Sequence, residues 1–81
     1  MIHELKTWKK YFVEIFSGQK QFEVRLNDRD FKMYDELLLQ EWDPAKQEYT
    51  GRILHRRIDY ILHGGQFGID EGYVVMSISK I

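Results

Sequence analysis

Only one stretch of this chain repeats its apolar residues at the helical period, and most of the rest alternates like strand. Trp8, Tyr11, Phe12, Ile15 and Phe16 fall at i, i+3, i+4, i+7 and i+8, one face of a 3.6-residue repeat. Thr7 stands where an N-cap hydroxyl would accept a bond from an orphan amide. Gly18 stands at the C′ position, which favours a residue tolerant of positive φ. One helix of this length cannot bury itself against another, so it must lie on a sheet.

The sheet is legible in pieces. Met1–Lys6 reads as a first strand. Lys20–Leu26 alternates Phe22, Val24 and Leu26 against Gln21, Glu23 and Arg25, which predicts a strand with its apolar side inward. Asn27-Asp28 and Arg29-Asp30 are turn chemistry. Glu36–Trp42 carries three consecutive leucines, and Asp43-Pro44 opens a hairpin turn. Tyr49–Leu62 is too long for a flat strand, with Gly51 placed to mark a bend or bulge. A glycine-rich loop, Gly64 to Gly68, precedes a last strand over Gly72–Ile81. The order β-α-β-β-β-β predicts an α+β, mainly β domain. A strongly curved sheet of this kind hides its edges best by closing into a small barrel with the amphipathic helix packed against it. No repeat, low-complexity stretch or linker divides the chain, so residues 1–81 read as one domain.

Composition removes several classes of function. The chain has no cysteine, hence no disulfide framework and no thiolate for zinc or nucleophilic attack. His3, His55 and His63 share no ligand spacing, so no metal and no cofactor is expected. There is no Walker A loop, no dinucleotide-binding glycine motif and no G-x-S-x-G elbow. No apolar run is long enough to span a bilayer. Met1–Lys6 lacks the basic-then-apolar pattern of a secretory leader, which points to a cytoplasmic protein without membrane association. The formal net charge is −1, with seven basic and seven acidic residues in 1–40 and five and six in 41–81. Any site for an anion must therefore come from clustering in three dimensions. Aromatic residues make up 15% of the chain, and each buried ring removes about 150–250 Å² from water, so most are expected in the core.

The segment Ser17–Arg25 concentrates the chemistry. Lys20 enters the strand, and Glu23 and Arg25 share the face opposite Phe22 and Val24. This pattern fits a solvated ion pair, worth about 0–1 kcal/mol. It also fits a site in which Lys20 supplies a point charge, Arg25 a planar fork, and Glu23 an acceptor for an exocyclic amine. Arg29 could add a cation if its turn folds back, or pair with Asp28 or Asp30. Trp42, Phe67 and Tyr73 are candidate stacking surfaces. Trp42 reads better as core, whereas Phe67 sits in a glycine-flanked loop with little core to join. Arg56 and Arg57 point to opposite strand faces and, with Lys9 and Lys10, read as scattered solvated charges.

Gly18-x-Lys20-x-x-Glu23-x-Arg25 after an amphipathic helix resembles the signature of the ASCH superfamily of PUA-like β-barrels. Further stretches resemble a bacterial and phage ASCH-like family of unknown function. They are His3-Glu4-Leu5-Lys6, Asn27-Asp28-Arg29-Asp30-Phe31, Leu37-Leu38-Leu39 with Glu41-Trp42, Tyr49-Thr50-Gly51-Arg52, and Gly64-Gly65-Gln66-Phe67-Gly68 before Gly72-Tyr73. The resemblance implies a PUA-like barrel with a cleft between barrel and helix. It implies single-stranded RNA or a nucleotide as partner, with Lys20, Glu23, Arg25, Arg29, Gln66, Phe67 and Tyr73 as ligand-binding residues. Some small ASCH proteins are amidohydrolases that deacetylate acetylcytidine with a Lys, a Thr three residues later and a further Glu. Here Lys20 matches the Lys, but Glu23 stands where those proteins have Thr, and Glu71 is the nearest counterpart of the later acid. A carboxylate cannot do a hydroxyl nucleophile's work by the same route. A binding module is therefore the leading expectation. Hydrolysis of a modified nucleoside, with Lys20 and Glu23 at work, and a phage or bacterial regulatory interaction module are the alternatives.

Overall fold

The computed structural model describes residues 1–81. The elements run β1 (Ile2–Trp8), α1 (Lys9–Phe16), β2 (Phe22–Leu26), β3 (Glu36–Asp43), β4 (Glu48–His63) and β5 (Tyr73–Lys80). They form one mainly β sheet of five strands in the order β1-β3-β4-β5-β2. β1 pairs with β3 in parallel, and the other pairings are antiparallel. The sheet curls around its core as a half-barrel. β1 and β2 are its two edges, so the backbone ladder does not close as expected.

Side chains close the gap instead. The Met1 carbonyl accepts from the Glu36 amide, so the alternating carbonyls of Glu4 and Lys6 face away from β3, toward the open edge. Arg29 Nη1 donates to the Glu4 carbonyl at 2.8 Å, and Arg25 Nη2 donates to the Lys6 carbonyl at 3.0 Å. Two guanidinium groups thus stand where a ladder between β1 and β2 would run.

The long β4 bends at two irregularities. One lies opposite Gln40–Trp42, where Thr50, Gly51 and Arg52 face a single residue of β3. The other lies at Asp59. The expected irregularity at Gly51 is therefore present, and it lets a sixteen-residue strand follow the curl. At the Asp43-Pro44 turn, Asp43 Oδ1 accepts from the amides of Ala45 and Lys46.

Leu5, Leu37, Leu39, Ile58, Val74, Met76 and Ile78 fill the concave face together with Ile15 of α1. The helix buries only Phe12 and Ile15, whereas Trp8, Tyr11 and Phe16 of the expected apolar stripe are largely exposed. Trp8 ends β1 rather than opening the helix. Thr7 is strand too and does not cap: its buried hydroxyl donates to the Leu5 carbonyl. Gly18 follows the Ser17 C-cap with φ +86° and gives its amide to the Ile15 carbonyl, a geometry that penalises a Cβ.

β2 reverses the expected sidedness. Its alternation is real, but Phe22, Val24 and Leu26 lie about half exposed instead of joining the core. Glu23 is the residue that turns inward, at 3% exposure.

Candidate functional site

The inner face is apolar along its middle and becomes polar where β1 runs into α1. Thr7 of β1 lies in register with Glu41 of β3, and both are buried. β2 brings Glu23 and Arg25 across from the opposite edge. Between these strands and the first turn of α1 lies an open hollow of about 610 Å³. That is within the roughly 300–1,000 Å³ of clefts that take small organic ligands.

Its floor is a three-residue charge network. Glu23 Oε1 accepts from Lys20 Nζ and Oε2 from Arg25 Nε, both at 2.8 Å. Lys20 gives a second bond to the Phe22 carbonyl at 2.8 Å. Arg25 Nη2 also reaches the Thr7 hydroxyl at 3.3 Å. Both carboxylate oxygens are thus occupied, while one ammonium hydrogen and Arg25 Nη1 carry no intramolecular bond. The trio has a net charge of +1. A buried acid between two cations explains the reversed sidedness of β2: burying Glu23 alone would cost several kcal/mol, whereas two hydrogen-bonded partners offset that penalty.

The walls are rings and aliphatic stems. Trp8 and Tyr11 line the hollow and remain substantially open to solvent. Lys20 Nζ lies 5.7 Å from the Tyr11 ring centroid, close enough for a cation–π contact. Lys6 also lines the hollow, and its ammonium sits 4.0 Å over the Trp42 ring, which packs edge-on against Tyr49.

Of the residues expected to bind a ligand, Lys20, Glu23 and Arg25 come together here. Arg29 is committed to the Glu4 carbonyl at the strand seam and does not line the hollow. Gln66 and Phe67 lie in the β4–β5 loop, where Gln66 donates to the His63 carbonyl and Phe67 is 81% exposed; neither lines the hollow. Tyr73 begins β5 opposite Leu26 and also lies outside it. Glu71, the counterpart suggested for a later catalytic acid, sits in the turn before β5.

Sequence pattern alone does not single out Lys6, Thr7 and Trp8 as lining residues. The available signal is positional: the last residues of a strand leading directly into a helix end up beside the mouth of the sheet. Nor does pattern mark Glu41 as a buried acid. Glu41 Oε1 accepts from the Thr50 hydroxyl and pairs with Arg52 at 3.5 Å, and Oε2 is buried without a partner. Arg52 in turn lies over the Phe12 and Phe16 rings. Arg56 is buried as well, contrary to its reading as a solvated charge, whereas Arg57 is exposed and paired with Asp59.

At the other side of the sheet, His3 Nε2 meets Asp35 Oδ2 at 2.8 Å. Burial alone would raise the Asp35 carboxyl. The His3 hydrogen bond, the Lys32 amide and the N-terminal ammonium outweigh it and hold the group below the ordinary range. No group of three or more His, Cys, Asp or Glu residues is arranged to hold a metal. No helix is long and apolar enough to cross a membrane.

A family model described as Domain of unknown function (DUF3850) matches residues 2–78. The chain belongs to the DUF3850 family. It is also similar to the "Uncharacterized 12.9 kDa protein in GpA 3'region" of Escherichia phage P2, with 40% identity over 57 residues. That alignment covers 70% of this chain and 50% of the phage protein, so the DUF3850 domain described here spans about half the length of that relative.

Proposed function

We propose that this DUF3850 domain binds a nucleotide or a short stretch of single-stranded RNA in the hollow between β1, α1 and β2. The observation that carries the reading is a hollow with exposed rings on its wall and a net positive, hydrogen-bonded trio on its floor. A base has a π-face for Trp8 or Tyr11, and a phosphate accepts from the unused donors of Lys20 and Arg25. The resemblance of Gly18-x-Lys20-x-x-Glu23-x-Arg25 to ASCH domains supports the same reading and, with it, a PUA-like ancestry for the half-barrel. Deacetylation is supported less well. A basic or nucleophilic lysine needs a free lone pair, whereas Lys20 donates to both Glu23 and the Phe22 carbonyl.

The test is a fluorescence-anisotropy titration of a labelled ten-nucleotide single-stranded RNA at 50 mM salt. Saturable binding is expected. Trp8→Ala removes a stack worth about 1–3 kcal/mol, a loss of roughly 5- to 150-fold. Lys20→Ala weakens binding and flattens the salt slope, by about 0.7 for each phosphate no longer neutralised. Binding that does not saturate, or that neither substitution changes, overturns the proposal.

A further inference from the structure

Lys20 stands between two hollows. The second, of about 420 Å³, lies beyond the end of α1, between Gly18 and Gln21 on one side and Ser79 and Lys80 on the other, with Arg56 in its wall. Arg56 faces Lys80 across the β4–β5 ladder. It is 8% exposed and forms no ion pair, although a buried guanidinium without a counter-charge is costly. Its one hydrogen bond runs from Nη1 to the adjacent His55 carbonyl at 2.9 Å, leaving four of five N–H donors unused. Glu41 Oε2 is the only fully buried side-chain polar atom lacking a partner, so the unpaired Arg56 nitrogens keep some access to solvent, and the residue lines this hollow. The lining holds three cations, Lys20, Arg56 and Lys80, and no carboxylate. Lys20 is already matched to Glu23, which leaves Arg56 and Lys80 as the uncompensated charges.

From this we infer that the second hollow is a binding site for a phosphate group, with the Arg56 fork as its centre and Lys80 as its rim. A planar guanidinium with free donors fits two phosphate oxygens, and the buried charge gains the partner it lacks. Because Lys20 borders both hollows, a phosphate here lies next to whatever occupies the first. This part of the inference rests on the proposed nucleotide reading: the ligand is then a strand with consecutive phosphates, one in each hollow. The site itself stands on Arg56 alone.

The experiment compares inorganic phosphate with chloride at matched ionic strength by thermal melting of the wild-type protein, Arg56→Gln, Lys80→Ala and Arg57→Gln. Phosphate at tenfold its Kd is expected to raise the midpoint of the wild type and Arg57→Gln by about 5 °C or more beyond chloride. The effect is lost in Arg56→Gln and weakened at least threefold in apparent Kd in Lys80→Ala, a surface change that leaves the core intact. If Arg56→Gln does not fold, Lys80→Ala decides. A second arm measures a 5′-phosphorylated dinucleotide against a nucleoside monophosphate. A strand source predicts that Lys80→Ala weakens the dinucleotide at least threefold and leaves the monophosphate unchanged. No phosphate response beyond chloride, with dinucleotide affinity unchanged in Lys80→Ala, overturns the inference and leaves the nucleotide reading intact. A phosphate response with no nucleotide or RNA binding keeps the site and overturns the nucleotide reading.

Discussion

Replacing Glu23 with Ala tests whether the floor of the hollow is a structural unit. The substitution removes the acceptor of two hydrogen bonds and leaves Lys20 and Arg25 facing each other without the charge between them. Removing one partner of a fully buried pair costs about 3–5 kcal/mol. Here the acid is 4% exposed but its partners are 15% and 26% exposed, so water recovers part of the loss. A value of about 2–3 kcal/mol follows. For a domain of this size that lowers the melting midpoint by about 8–24 °C. Urea unfolding followed by tryptophan fluorescence gives the free energy directly, with Ile53→Ser, at an exposed position of β4, as the comparator, expected within about 1 kcal/mol. A Glu23→Ala loss below about 0.5 kcal/mol, the value of a solvated surface pair, would refute the claim that the acid turns inward.

Three further outcomes follow from the same geometry. Arg25→Lys keeps the charge but loses the fork to the Lys6 carbonyl and the Thr7 hydroxyl, and should cost about 1–2 kcal/mol in urea unfolding; an unchanged midpoint would show that the strand seam does not need it. Gly64→Ala places a Cβ in hard overlap with the Asp70 carbonyl and 2.8 Å from that of Tyr73, so the β4–β5 loop must move at a cost of at least about 2 kcal/mol, read as a drop in melting midpoint. The Asp35 carboxyl is lowered in the folded protein, so its stabilising contribution is complete above the unfolded carboxyl value of about 3.9 and disappears as pH falls through the lower folded value. Wild-type stability should therefore fall on acidification below about pH 4, and the slope should be shallower in Asp35→Asn; equal slopes would count against the His3–Asp35 contact.

Much of the fold was legible because local pattern and tertiary context agreed. The alternation of Val74, Met76 and Ile78, the Asp43-Pro44 turn and the glycine after α1 each follow from the chain within a few residues. What misled was sidedness. β2 alternates cleanly, but periodicity cannot say which side faces in. Burial of Glu23 becomes favourable only with Lys20 and Arg25 bonded to it, and that turns the apolar side outward. The helix stripe is broader than its seat for a related reason: α1 packs chiefly on β1 and β3, so Phe12 and Ile15 suffice to seat it and the other rings of the stripe stay largely exposed. Lys20, Glu23 and Arg25 were recognisable as a cluster because they are close in sequence. Trp8 and Arg56 join their hollows only through strand pairing, and the partner of Arg29 is a main-chain oxygen 25 positions away, which no side-chain pattern encodes.

The seam between β1 and β2 has a consequence for how this domain behaves in company. A free strand edge invites a foreign chain to dock its amides and begin a fibre. Here two outward oxygens of the first strand are already occupied by arginines from within the same molecule, so the clasp that draws the half-barrel together also blocks intruders along its exposed flank.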